Sequence, residues 1–110
     1  PTTDGTCVRD YIHVIDIVNA HYLGMKKIQN LKPYNVFNIG SGKGYSIMEV
    51  IKGVETITNK KIDYIYSEDR KNEPPYLVAD ISKIKKQLEW SIKYNSINSI
   101  IETAWNWHRK

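Results

Sequence analysis

The stretch YNVFNIGSGKGYSIMEV, residues 34–50, decides the architecture. Its first six residues are β-prone and bounded by Pro33 and Gly40, which predicts a strand at 34–39. Gly40, Gly42 and Gly44 then make a flexible turn. Ser46-Ile47-Met48-Glu49 is a capping box, in which the serine and glutamate side chains each satisfy an orphan amide. Behind it Ile47, Val50, Ile51, Val54 and Ile57 keep helical spacing. Strand, glycine turn and capped helix form one α/β unit. Working outward, residues 11–14 read as a β-prone run. Asp16 precedes a helix carrying Ile17, Val18, Tyr22 and Ile28, which fades near Gly24 and ends before Pro33. Residues 62–66 (IDYIY) alternate as a third strand, and residues 67–75 form a polar, proline-rich loop long enough to carry function. Asp80 caps a short helix with Ile81, Ile84 and Leu88 on one face; Ser96 opens a last helix striped by Ile97, Ile100, Ile101, Ala104 and Trp105. Three short strands alternating with four helices is an α/β plan.

Composition bounds the function. The 110 residues make one domain, and 41% apolar residues with twelve aromatics exclude intrinsic disorder. No apolar run approaches the eighteen or more residues of a membrane helix. Cys7, the single cysteine, makes no internal disulfide and points to a reducing compartment. The chain starts at Pro1 with turn chemistry and no hydrophobic signal segment, so it reads as the middle of a longer protein. Sixteen Ile against four Leu and thirteen Lys against three Arg suggest an AT-rich coding sequence, which discounts the net charge of +4 as a functional signal.

Several motifs invite chemistry. Strand, GSGKG, then helix is the arrangement that places amides around a phosphate. The sixth position of a dinucleotide fingerprint is Tyr45, however, and Lys43 is followed by Gly44 and not by Ser or Thr, so neither nucleotide pattern is met. Tyr22 and Lys26 stand four apart like a dehydrogenase's Tyr-x-x-x-Lys pair, a spacing that any amphipathic helix produces. His13, His21 and His108 have no metal-ligand spacing with Cys7, and His13 reads as a hydrogen-bonded core residue. Lys83, Lys85 and Lys86 lack the aromatic interleaving of a nucleic-acid surface. In so lysine-biased a chain the arginines stand out, because a planar guanidinium grips phosphate at two points where an ammonium does not. Arg9 lies before the first predicted strand and Arg70 in the long loop; they either converge on a diphosphate or form surface salt bridges.

Residues 4–16, DGTCVRDYIHVID, resemble the DGT-x-x-RDYIHV-x-D signature of UDP-glucose 4-epimerases. The resemblance continues in order through residues 36–50, 70–80, 86–90 (KQLEW) and 103–107 (TAWNW), essentially the whole chain. It implies the C-terminal third of an extended short-chain dehydrogenase/reductase, residues 1–110 carrying most of the UDP-sugar-binding part. The N-terminal Rossmann domain, with the NAD glycines and the working Tyr-x-x-x-Lys pair, is then absent. In the family NAD takes a hydride from C4 of the hexose, the keto sugar rotates, and the hydride returns to the other face.

Residue by residue, the resemblance matches Arg9 to an arginine on the UDP phosphates and Tyr11 to a neighbouring residue of that site. Arg70 matches the second arginine, which opens the R-x-G-D loop. That loop here reads Arg70-Lys71-Asn72-Glu73, so Glu73 replaces the usual partner of the ribose hydroxyls with a side chain one methylene longer. Leu77 falls where relatives vary between a bulky Tyr and smaller residues at the sugar-pocket wall. No catalytic, cofactor-binding or metal-binding residue is expected within the chain. The implied partners are UDP-glucose or UDP-galactose and the parent's own Rossmann domain, in a cytoplasmic homodimer that binds neither nucleic acid nor membrane. The rival readings are another nucleotide-sugar enzyme of the superfamily, a dehydratase or decarboxylase, and a free-standing binding module.

Overall fold

The computed structural model describes residues 2–67 and 73–110. At its centre lies β1 (Val8–Asp10), the middle strand of a sheet ordered β2-β1-β3. β2 (Gly44–Ser46) runs antiparallel to it, with Arg9 opposite Tyr45 and Asp10 opposite Gly44. β3 (Tyr76–Leu77) runs parallel, with Val8 beside Tyr76 and Arg9 beside Leu77. Gly44 lacks a side chain where one would not fit: a β-carbon there would lie 2.4 Å from Val8 Cγ1.

Each helix begins on a side chain that the local sequence supplies. The ring of His13 caps α1 (Val14–Lys26), its Nδ1 accepting from the Ile15 amide at 3.0 Å. The capping box predicted at Ser46 opens α2 (Ile47–Thr58): Ser46 Oγ accepts from Glu49 N–H, and Glu49 Oε2 accepts from Ser46 N–H. Beneath it sits the turn at residues 4–6. Asp4 Oδ2 accepts from the Ser46 hydroxyl at 2.5 Å, and Thr6 Oγ1 accepts from the Met48 amide at 3.3 Å. α3 (Ser82–Leu88) and α4 (Ile97–His108) follow, the latter capped by Ser96 as expected. Among the described residues no helix is long and apolar enough to cross a membrane.

Two apolar clusters flank β1. One joins Ala20 of α1 to Ile81, Ile84, Leu88 and Trp90; the other joins Tyr45 to Ile97 and Ile101 of α4, with Val50, Val54 and Ile57 of α2 against them. The two residues that follow β1 feed both, Ile12 packing into the first and Tyr11 into the second. Asp16, fully buried, ties α1 to the segment after α3: its carboxylate accepts from the Lys93 and Tyr94 amides, and its carbonyl accepts from Trp90 Nε1. A buried carboxylate persists only when its lone pairs are satisfied in this way.

The α/β class and the alternation of strands with helices hold, but the strands lie elsewhere than predicted. The first occupies residues 8–10 and not 11–14, because His13 is already spent on capping α1. The same cap moves the helix start from behind Asp16 to Val14. Residues 34–39 and 62–66 are irregular, and Ile65 is 91% exposed. Their β-propensity is real, but a strand exists only against a hydrogen-bonded neighbour, and none lies beside them within the described residues. Asp80 acts one residue ahead of the α3 N-cap, Ile81, accepting from the Ser82 amide at 2.9 Å.

Candidate functional site

Arg9 projects from the middle strand, held at two points. Its Nη1 donates to the Val8 carbonyl at 2.8 Å and its Nη2 to Glu73 Oε1 at 2.7 Å. The hydrogen bond to Glu73 is the main reason the guanidinium sits above its ordinary pKa, so its positive charge is permanent. The sheet register sets Leu77 directly beside it. Leu77 is 58% exposed, which makes it a wall of the surface and not a core residue. Arg9, Asp10, Phe37, Leu77, Val78 and Asp80 border an open groove of about 530 Å³. Tyr11 turns from this groove into the second cluster. Burial pushes its phenol above the usual value, against a smaller opposing pull from Arg9, so the hydroxyl keeps its proton at neutral pH.

Of the five residues predicted for the site, Arg9 therefore meets two, Glu73 through a hydrogen bond and Leu77 across the β1-β3 pair. Tyr11 stands behind them. Arg70 lies outside the described residues.

The glycine loop does bind an anion, and the anion is the chain's own. Asp10 Oδ1 accepts from both the amide and the hydroxyl of Ser41 at 2.6 Å. Its Oδ2 accepts from the amides of Gly42 at 3.2 Å and Ala79 at 3.0 Å. Amides that elsewhere cradle phosphate are thereby occupied. Asp10 escaped the sequence reading, although it neighbours Arg9 and the loop's failure to match either nucleotide pattern was the available signal.

The remaining motifs resolve into structure. Lys26 Nζ lies 5.4 Å from the centre of the Tyr22 ring, both side chains on the outer face of α1. His13 is 8% exposed and stacks on Tyr94 with ring centres 3.9 Å apart. Its proton position follows from its partners. Thr103 Oγ1 donates to backbone carbonyls of its own helix, so it accepts from His13 Nε2–H, while Nδ1 accepts from Ile15. Lys83 Nζ donates to the Val36 carbonyl at 2.7 Å and covers the Phe37 ring. Among the described residues no three His, Cys, Asp or Glu side chains converge as a metal site.

Residues 1–40 match the NAD dependent epimerase/dehydratase family. The UDP-glucose 4-epimerase of Halalkalibacterium halodurans is 40% identical over 109 residues, which cover 99% of this chain and 33% of that protein. A crystal structure of a UDP-glucose 4-epimerase superposes with a TM-score of 0.91 at 44% identity, covering 98% of this chain and 33% of the other. The UDP-Glc/GlcNAc 4-epimerase of Campylobacter jejuni superposes with a TM-score of 0.86 at 35% identity, covering 98% and 32%. The chain spans about a third of the length of the curated relatives it matches.

Proposed function

We propose that this chain, a homologue of UDP-glucose 4-epimerases along nearly its whole length, is the UDP-sugar-binding portion of a NAD-dependent UDP-hexose 4-epimerase. The observation that carries the reading is that Arg9 meets Glu73 through a hydrogen bond and Leu77 across the β1-β3 pair, beside a groove that Arg9 and Leu77 border; the epimerase resemblance assigns these three residues to phosphate, ribose and sugar.

In this reading Arg9 grips the diphosphate, with Arg70 as its second arginine. Glu73 faces the ribose hydroxyls, and Leu77 walls the hexose. Tyr11, protonated and half-buried in the second apolar cluster, backs the site without placing a negative charge against the phosphates. These residues bind and orient; none of them moves a hydride.

NAD supplies the redox chemistry at C4 of the sugar in such an enzyme. The residues described here do not fit that cofactor, because the loop amides at Ser41 and Gly42 already hold Asp10. We therefore assign NAD, and the acid/base pair, to an N-terminal Rossmann domain of the parent protein. The relatives reported above are 4-epimerases, which favours this reading over a dehydratase or decarboxylase. The same resemblance supports a cytoplasmic, homodimeric enzyme of galactose metabolism.

The test is turnover. The full-length protein should interconvert UDP-galactose and UDP-glucose, whereas residues 1–110 alone should show neither activity nor a tight NAD site. Activity in the isolated 110 residues, or its absence in the full-length enzyme, would overturn the assignment.

A further inference from the structure

The glycine loop carries a side chain that its internal anion leaves unused. Asp10 takes the amides of Ser41 and Gly42, but the ammonium of Lys43, the next residue, lies elsewhere. Lys43 Nζ is 4.8 Å from the centre of the Tyr45 ring. Tyr45 is the partner of Arg9 across the β1-β2 pair. Side chains two apart along an extended chain share a face, so Lys43, Tyr45 and Arg9 stand on one side of the sheet. Lys43 is thereby the diagonal neighbour of Arg9, at a backbone separation of roughly 7–8 Å that two long side chains span readily. Its base is anchored as well, because Ser41 Oγ accepts from the Lys43 amide at 3.2 Å and itself donates to Asp10.

Charge decides what this arrangement does. Arg9 is paired with Glu73, so the pair presents no net charge to a ligand. Lys43 is exposed, and among the described residues no carboxylate lies within ion-pairing distance of its ammonium. An aromatic face holds an ammonium in place without neutralising it. A positive charge without a counter-ion among the described residues therefore stands diagonal to the guanidinium, where a diphosphate brings more negative charge than the Arg9–Glu73 pair offsets. Resting on the reading of Arg9 as a diphosphate ligand, we infer that Lys43 is a further ligand of the same diphosphate, steadied over the Tyr45 ring. The two cations act differently. The planar guanidinium fixes the orientation of the phosphates, and the ammonium adds attraction as a point charge without demanding one.

Calorimetric titration of the full-length, NAD-loaded protein with UDP tests this. Lys43→Met keeps an unbranched stem against the Tyr45 ring and removes the charge. At about 0.1 M salt it should weaken UDP by about two- to fivefold, the scale of an exposed ion pair. At about 1 M salt, where the screening length falls from ~10 Å to ~3 Å, variant and wild type should converge. Lys43→Arg should match wild type at both concentrations. Without UDP, the urea midpoint should be the same for all three proteins. Unchanged UDP affinity in Lys43→Met, a loss that persists at high salt, or a loss that Lys43→Arg shares each overturns the proposal while leaving the phosphate role of Arg9 standing. A lower urea midpoint with UDP affinity unchanged overturns it too, and makes Lys43 a support for Tyr45 alone. If Arg9→Ala by itself leaves UDP affinity untouched, the underlying functional reading falls, and this inference with it.

Discussion

A β-carbon on Gly40 would lie 2.2 Å from Asp10 Oδ2, so the backbone at Gly40 closes directly over the Asp10 carboxylate. This one contact orders the neighbourhood of the proposed diphosphate site. Asp10 follows Arg9 on β1, and its carboxylate draws in the Ser41, Gly42 and Ala79 amides. The chain before β2 and the chain after β3 are thereby fastened to the same side chain. A three-residue strand with a two-residue neighbour has few ladder bonds of its own, and Asp10 supplies what the ladder lacks.

Asp10→Ala should therefore destabilise the protein by about 2–3 kcal/mol, because three amides lose a charged acceptor. Gly40→Ala should act in the same direction, since the new methyl also meets Ala79 Cβ at 2.9 Å and has no room unless the carboxylate leaves. Urea unfolding checks both: the midpoint should fall with the slope unchanged. A midpoint within error of wild type for both variants would mean that the loop holds itself without Asp10.

Acid should loosen the turn beneath α2. The Asp4 carboxyl is held below its ordinary pKa first by the Ser46 hydroxyl, then by the amide and hydroxyl of Thr6. The folded state thus releases the proton more readily than the unfolded chain. Stability from Asp4 is fully present above the unfolded value, near pH 4, and is lost as pH falls through the lower folded value. Asp80 and Glu89 are lowered as well, by Ser82 and Lys27 respectively, and act in the same window. Asp4→Asn should flatten the loss of stability below about pH 4 without abolishing it. Urea midpoints measured from pH 6 to pH 2.5 would show this; identical slopes for variant and wild type would remove Asp4 from the account.

Much of this was legible in the sequence, and the exceptions have physical reasons. Ser46 and Ser96 were readable as caps because a cap is local: side chain and amide lie within three residues. Arg9 stood out by composition, as one of three arginines in a lysine-biased chain, but its link to Glu73 and Leu77 was readable only through the epimerase resemblance, since nothing in composition or spacing brings residue 9 to residues 73 and 77. The strands were misplaced because pairing is not local. Residues 34–39 have the propensity of a strand and no strand partner among the described residues, whereas Gly44, Tyr45 and Ser46, with only one β-prone residue among them, pair with β1 because β1 is where they fold back. Asp10 was invisible for a related reason: its partners lie 31 or more positions away.

Arg9→Ala in the full-length enzyme should weaken UDP by roughly ten- to a hundredfold, the scale of hydrogen bonds to a charged group. Arg70→Ala should behave alike, as the resemblance implies. Arg9→Lys should recover only part of the loss, because an ammonium does not donate at once to the Val8 carbonyl, Glu73 and a phosphate in the guanidinium's planar geometry. Calorimetric titration with UDP decides it, and equal affinity across the series would end the phosphate role.

Leu77 sets the last prediction, which concerns sugar choice. The register places it beside Arg9, and its exposure leaves the side chain directed at the groove and not into either apolar cluster. The epimerase resemblance sets Leu77 at a position where a Tyr would narrow the pocket around the C2 substituent of the sugar. Leucine is shorter and flexible, so it leaves space for an N-acetyl group, and a UDP-Glc/GlcNAc 4-epimerase stands among the structural relatives. The full-length enzyme should then accept UDP-N-acetylhexosamines as well as UDP-glucose and UDP-galactose. Leu77→Tyr should fold normally, because the added ring enters solvent-exposed space. It should lower kcat/KM for the acetylated pair by about tenfold through steric exclusion while sparing UDP affinity. Steady-state kinetics on both substrate pairs, with UDP calorimetry on the variant, separate the outcomes. Wild type inactive on UDP-N-acetylglucosamine, or a tyrosine variant that loses both pairs equally, would show that Leu77 does not wall the sugar pocket.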